Sequence, residues 1–209
     1  MFESLVLPLL LAVATAAGVG MIVPQAVRLH RTKVTDGVSP TWVGVGLIMN
    51  AWWLAYAAAS GLWGLVPVSV GGITLYGIVA AQLLRLLGPT VLSAVARGHL
   101  IGLVPLAGLV VDGWPGAGLV IGLLYGAAFT PAVTAAVRSA SVVGISPTTW
   151  VLAWIEAAVW LLYGSTTADV ALIAGGLGGT IMSSIILVRL ATAQPALAGR
   201  LPVALVGGR

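Results

Sequence analysis

Three groups of residues in this chain could carry chemistry by their type and spacing. Glu156 stands in an apolar run four residues ahead of Trp160, so the two share a helix face. An ionisable side chain at that depth is costly unless it faces a polar cavity, and a carboxyl there is suited to taking up and releasing a proton. A structural carboxyl, hydrogen-bonded between helices, is the competing reading. Trp53 and Tyr56 lie three apart, as do Trp160 and Tyr163. Each pair therefore shares a helix face, either as an interfacial aromatic belt or, for the tyrosines, as part of a gate. Pro24 and Pro131 each remove one backbone hydrogen bond, which either ends a helix or gives it a hinge. Gln25 offers an amide to a carbonyl freed at such a kink, whereas Ala132 follows Pro131.

Other chemistry is poorly supplied. The absence of cysteine excludes disulfides, thiol catalysis and thiolate metal sites. His30 and His99 are far apart in basic segments, which argues against a metal cluster. Gly71-Gly72, Gly175-Gly176 and Gly178-Gly179 sit in continuous apolar runs and lack the Lys-Ser/Thr of a phosphate loop. They are read as close helix contacts. Thr74 and Thr180 either line a cavity or bond back to their own helices. Neither an enzyme nor a cofactor is expected.

The elements that must position these residues follow from composition and repetition. Of 209 residues, 60% are hydrophobic and 7% charged, with mean hydropathy +1.13. That charge is far too low to cover a water-facing surface. Apolar runs of bilayer-spanning length recur without period-two alternation, so an all-α membrane protein is expected. The net charge of +4 then bears on orientation and not on nucleic acid. The start Met-Phe-Glu lacks the basic opening of a signal peptide, so the first apolar run is expected to be retained.

Sliding the chain on itself by 107 residues superposes 24–83 on 131–190 without a gap, with 16 of 60 positions identical. Arg31 falls on Arg138, Gly37 on Gly144, Ser39-Pro40-Thr41 on Ser146-Pro147-Thr148, and Trp53-Leu54 with Tyr56 on Trp160-Leu161 with Tyr163. The chain is an internal duplication. Helices are expected over 5–27, 39–60, 64–87, 98–111, 117–137, 147–164 and 168–191. A looser segment covers 88–97, Pro105 breaks the fourth helix, Asp112 to Gly116 form a turn, and a loose tail starts at 192. Three helices, one, and three give two parallel bundles joined by an inverting helix, with units 1–87, 88–113, 114–191 and 192–209.

Charge sets the orientation. With the N-terminus outside, all nine Lys/Arg fall on the inner side: Arg28, Arg31 and Lys33, then Arg85 and Arg97, then Arg138, then Arg189, Arg200 and Arg209. Glu3, Asp112 and Asp169 fall outside, as the positive-inside rule permits, and the C-terminus lies inside. Six or eight helices would break this pattern. The first inner loop, 28–36, is read as a topology anchor.

Pro24-Gln25 at the end of a first helix, a basic turn, Gly37-Val38-Ser39 and then Trp53 with Tyr56 resemble the PQ-loop superfamily. The three-one-three plan is similar to that of the SWEET sugar transporters, and each half resembles a bacterial SemiSWEET protomer, over roughly 12–87 and 119–190. The resemblance implies hinges at Pro24 and Pro131. It implies that Trp53 and Trp160 stack on a solute in a central pocket, an apolar yet shape-selective contact. It also implies an outer gate of Tyr56, Tyr163 and Asp169, the last six residues after Tyr163, with Leu62 in that place in the first repeat. Two departures stand out. The asparagine of the family's third helix falls on Ser69 and Gly176 by one alignment, and on Gly72 and Gly179 by another, so neither supplies it. Where many SWEETs have an asparagine ahead of the tryptophan, this chain has Glu156, with Met49 and then Asn50 in the first repeat. Related PQ-loop transporters of amino acids use a membrane carboxylate for protons.

The substrate-binding set is therefore Trp53, Trp160, Asn50, Ser69, Glu156 and Gly176. The expected function is facilitated diffusion of a small sugar by alternating access. The alternatives are proton-coupled transport of an amino acid or other small polar solute through Glu156, and a non-transporting receptor on the same fold. The expected partners are a small solute and the bilayer, and two fused bundles allow a monomer to suffice. The Ala/Gly/Val/Leu-rich composition with short loops points to a bacterial plasma membrane.

Overall fold

A computed structural model of the chain describes residues 2–35, 38–138, 145 and 147–198. Among them no strand occurs. The helices are α1 (Phe2–Thr32), α2 (Pro40–Ser60), α3 (Val66–Leu87), α4 (Thr90–His99), α5 (Val104–Ala127), α6 (Thr130–Arg138), α7 (Pro147–Thr167) and α8 (Val170–Ala198). Short 3₁₀ turns, Trp63–Leu65 and Leu100–Leu103, lead into α3 and α5. Among the described residues, five stretches are long and apolar enough to cross a membrane: Val6–Thr32, Pro40–Ser60, Trp63–Leu87, Thr90–Arg138 and Val170–Ala193. Leu9, Trp63, Val110, Val111 and Val188 are all more than 60% exposed, so large apolar side chains face outwards along the bundle, as a lipid-facing surface requires.

Local sequence explains the boundaries. The Ser39 Oγ accepts the Trp42 N–H at 3.3 Å, and Pro40 occupies the first helical position, where a missing N–H costs nothing. Gly144 and Ser146, their counterparts in the second repeat, lie outside the described residues, and α7 starts at Pro147. The two repeats close this helix in the same way. Gly61 has φ 71° and the Leu62 N–H bonds the Ala57 carbonyl at 2.9 Å; Ala168 has φ 53° and the Asp169 N–H bonds the Gly164 carbonyl at 2.9 Å. This is the left-handed closure that usually takes glycine.

The structure corrects several sequence boundaries. Residues 90–97, expected to be loose, belong to α4, and Pro105 sits in the first turn of α5, where proline is tolerated. The turn is confined to Asp112 (φ −142°, ψ 21°) and Gly113 (φ 62°, ψ −147°), because Pro115 falls in the first turn of the helical stretch that resumes after it. There the chain doubles back, bringing Gly108 and Gly116 into backbone contact. The helix expected over 117–137 is interrupted at Ala128–Phe129, just ahead of Pro131, the second residue of α6. By contrast α1 runs unbroken through Pro24 and carries Arg28 and Arg31 in its last turns, so the first loop is shorter than 28–36. The chain also stays helical beyond 192, to Ala198.

Packing follows the duplication. Helix α3 lies between α1 and α2, and α8 lies between α5 and α7. The two sets meet where α1 packs on α7 and α2 packs on α5. Helix α4 joins the first set: a Cβ on Gly44 would run into the backbone of Val95, and one on Gly98 into the carbonyl of Thr41. The Trp52 indole N–H bonds the Gly102 carbonyl at 2.9 Å and fixes the following turn to α2.

Candidate functional site

A cavity of about 320 Å³ lies between the two sets of helices. Trp53, Trp160, Asn50, Ser69, Glu156 and Gly176, chosen from sequence, all line it. So do residues the sequence reading passed over, chiefly Trp42, Tyr76, Tyr125, Phe129 and Trp150. Of the 26 lining residues, 20 fall into ten pairs separated by 107 positions, among them Trp53/Trp160, Ser69/Gly176, Gly46/Ala153 and Leu65/Leu172. The wall is thus drawn from equivalent places in both repeats. Where paired residues differ, the chemistry differs: Glu156 replaces Met49, and Tyr125 replaces Gly18.

Glu156 is 5% exposed and lies midway along α7. The Tyr125 hydroxyl donates to its Oε2 at 3.0 Å. Across the gap, a Cβ on Gly18 of α1 would collide with Glu156 Oε1, so the missing side chain at 18 is what lets the carboxyl reach α1. Among the described residues, no Lys, Arg or His lines the cavity. The carboxyl therefore has hydrogen-bond donors nearby but no permanent positive charge.

The other polar groups are partly spent. The Asn50 Nδ2 donates to Gly46 of its own helix at 2.8 Å, and its Oδ1 lies against Gly72. Among the described residues, the Ser69 Oγ, 1% exposed, has no hydrogen-bond partner. Thr74 and Thr180 bond back to Val70 and Gly176 and do not line the cavity. Gly176 contributes to the lining, but a Cβ there would strike the backbone of Leu161, so its smallness serves the contact of α8 with α7. Gln25 is half-buried and its amide has no hydrogen-bond partner among the described residues.

One end of the cavity is sealed. Trp53 and Tyr56 meet edge to face at 6.1 Å, and Trp160 and Tyr163 at 5.9 Å. Beyond them the Tyr56 hydroxyl donates to Asp169 Oδ2 at 2.7 Å, tying α2 to the start of α8. Asp169 also caps α8, its Oδ1 accepting the Leu172 N–H at 2.9 Å. Tyr56, Tyr163, Leu65 and Leu172 are all buried around this seal. At the opposite end Trp42 is 46% exposed. Tyr56→Phe removes one hydrogen bond to a charged group, worth about 1.5–3 kcal/mol. Asp169→Ala removes the same bond and a helix cap, a further ~1 kcal/mol. The alanine variant should therefore melt at the lower temperature in detergent, and equal melting of the two would exclude the double role.

Tyr76 and Tyr125 escaped the sequence reading although a signal existed. The chain has four tyrosines, and a buried hydroxyl needs a polar partner, of which apolar runs hold few. Compared with protein-family models, with curated proteins and with solved structures, the chain shows no match.

Proposed function

We propose that this chain is a membrane transporter of a small solute, working by alternating access on the SWEET-like PQ-loop plan. The observation that carries the reading is the cavity, 20 of whose 26 lining residues pair across the 107-residue shift. A site on such an axis can be exposed to either side by rocking one set of helices against the other. The proposal places seven helices across the bilayer: Val6–Thr32, Pro40–Ser60, Trp63–Leu87, two from the reversal of Thr90–Arg138 at Asp112–Gly113, α7, and Val170–Ala193. The units are 1–87, 88–113 and 114–191, followed by a tail. The N-terminus is outside and the C-terminus inside a bacterial plasma membrane, by the side on which Lys and Arg fall. Tyr56, Tyr163 and Asp169 then close the outer face, and the wider end at Trp42 opens inwards. Pro24 and Pro131 remain the candidate hinges, and one copy suffices.

The resemblance implies a small sugar moved by facilitated diffusion, held between Trp53 and Trp160. A second reading, proton-coupled transport, is favoured by Glu156 facing the cavity with Tyr125 bound to it. Uptake into liposomes of glucose, sucrose and a mixed amino-acid pool, with and without an inward proton gradient, separates the two. Under the coupled reading, Glu156→Gln abolishes gradient-driven uptake while retaining binding. Unchanged uptake would remove Glu156 from the mechanism. Binding without uptake of anything would favour the receptor alternative.

A further inference from the structure

The cavity combines a wall of aromatic rings with one buried acid. Four of the chain's eight tryptophans, Trp42, Trp53, Trp150 and Trp160, line it together with Phe129, Tyr76 and Tyr125. Amid these rings sits one buried carboxyl, Glu156. From these observations we infer that the cavity takes a small organic cation carrying apolar substituents, such as an alkylated ammonium. The inference rests on the transporter reading only for what happens after binding.

Three candidate cargoes fare differently against the same wall. A sugar must have its hydroxyls paired once water is stripped from them. For that the wall offers few polar side chains among its 26 residues: Asn50, with one amide hydrogen already bonded to Gly46, then Ser69, Thr149 and Tyr76, and the Glu156–Tyr125 pair already bonded to each other. An amino acid brings a carboxylate, and among the described residues no cationic side chain lines the cavity to receive it. An alkylammonium brings one positive charge and apolar groups. The charge meets Glu156, and the groups meet ring faces, which attract cations through their quadrupoles. Every group of the ligand then has a suitable neighbour.

The repeat shows where this chemistry arose. Met49 and Gly18 hold the equivalent places in the first half, so the acid and its donor are found on one side only. A carboxylate left bare at this depth is costly, so a proton and an organic cation are alternatives at the same oxygens. Entry of the cation sends the proton to water, leaving charge in the cavity balanced. The titratable groups facing Glu156 from neighbouring helices are Tyr76 on α3 and Tyr125 on α5, while α1 presents Gly18.

The test uses purified full-length protein and its own tryptophan fluorescence. Choline is titrated against its neutral shape match, 3,3-dimethylbutan-1-ol, and against glucose, at two pH values. We expect choline to bind at least about tenfold more tightly than the alcohol, the preference that a desolvated cation–π and ion-pair contact supports. Binding should release a proton into a weakly buffered medium. Glu156→Gln should reduce the preference to less than about threefold without lowering the melting temperature. Should that variant fail to fold, the choline–alcohol pair on the unaltered protein decides alone. Equal binding of choline and alcohol, binding of glucose in preference to choline, or no binding of choline would each overturn the inference. Choline bound but not taken up by liposomes would leave the cation site standing and sink transport. Glucose uptake without choline binding would do the reverse.

Discussion

Gly44→Ala is expected to lower the stability of the protein by about 3 kcal/mol, the upper end of overpacking in a close-packed interior. The added methyl group would meet the carbonyl oxygen, carbonyl carbon (2.9 Å) and Cα (3.1 Å) of Val95. No flexible side chain stands there to move aside, and the reciprocal contact of Gly98 on Thr41 holds the same crossing from the other side. Relief requires parting α2 from α4, which also strains the bond from Trp52 to Gly102. Gly77→Ala is the matched control. It lies inside α3 with nothing beyond its own helix backbone and chain neighbours within 4 Å of the new methyl, so it should gain roughly 0.5–1 kcal/mol from backbone entropy. Thermal unfolding in detergent checks both, and a Gly44→Ala protein that melts with the unaltered chain would show that this crossing is looser than described.

Gly18→Ala should act chiefly on the site, with a smaller cost to the fold than Gly44→Ala because only side chains stand in the way. Its methyl group meets the Glu156 carboxyl, with Cδ at 2.9 Å, and a methyl of Val68 at 2.9 Å. The first of these is the far end of a flexible side chain, which can swing away. In doing so it gives up the bond from Tyr125. A hydrogen bond to a charged group is worth about 1.5–3 kcal/mol, so choline binding should weaken on the order of 10- to 100-fold. Fluorescence titration beside a melting curve separates the two effects. Unaltered choline affinity would mean that the carboxyl does not need its place against α1.

Much of the fold was legible because it is periodic and repeated. Ser39-Pro40 announced the start of α2, and Trp53 with Tyr56 and Trp160 with Tyr163 marked equivalent walls. Asp112-Gly113 was legible as a turn, but its true length depended on Pro115 being usable in a first helical turn. Pro105 misled for the same reason, since proline breaks a helix interior and not its opening turn. Residues 90–97 were missed because their polar residues lower hydropathy without preventing a helix. The end of α7 was obscured by Ala168, which adopts the conformation that Gly61 signals openly in the first repeat. The site was half legible. Reading through the repeat finds positions that match, whereas Tyr125 and Tyr76 stand opposite Gly18 and Ser183, where the halves diverge.

The reversal at Asp112–Gly113 has a mechanical meaning. Helix α4 and the turn after it are fastened to α2, so the first set carries them as a passenger, and the covalent link to the second set narrows to that dipeptide. Gly113 holds φ 62°, a value glycine occupies freely, so the turn stores little backbone strain. Backbone contact between Gly108 and Gly116 holds the arms of that hairpin together, and the edge-to-face contact of Trp52 with Trp114 ties the second arm to α2. Beyond that hairpin, the two sets are held by the surfaces that touch across the gap: the Tyr56–Asp169 clasp, the crossing of α1 on α7 and that of α2 on α5. On the proposed reading, a solute held between Trp53 and Trp160 would add a further bridge between the two sets and act as a structural member.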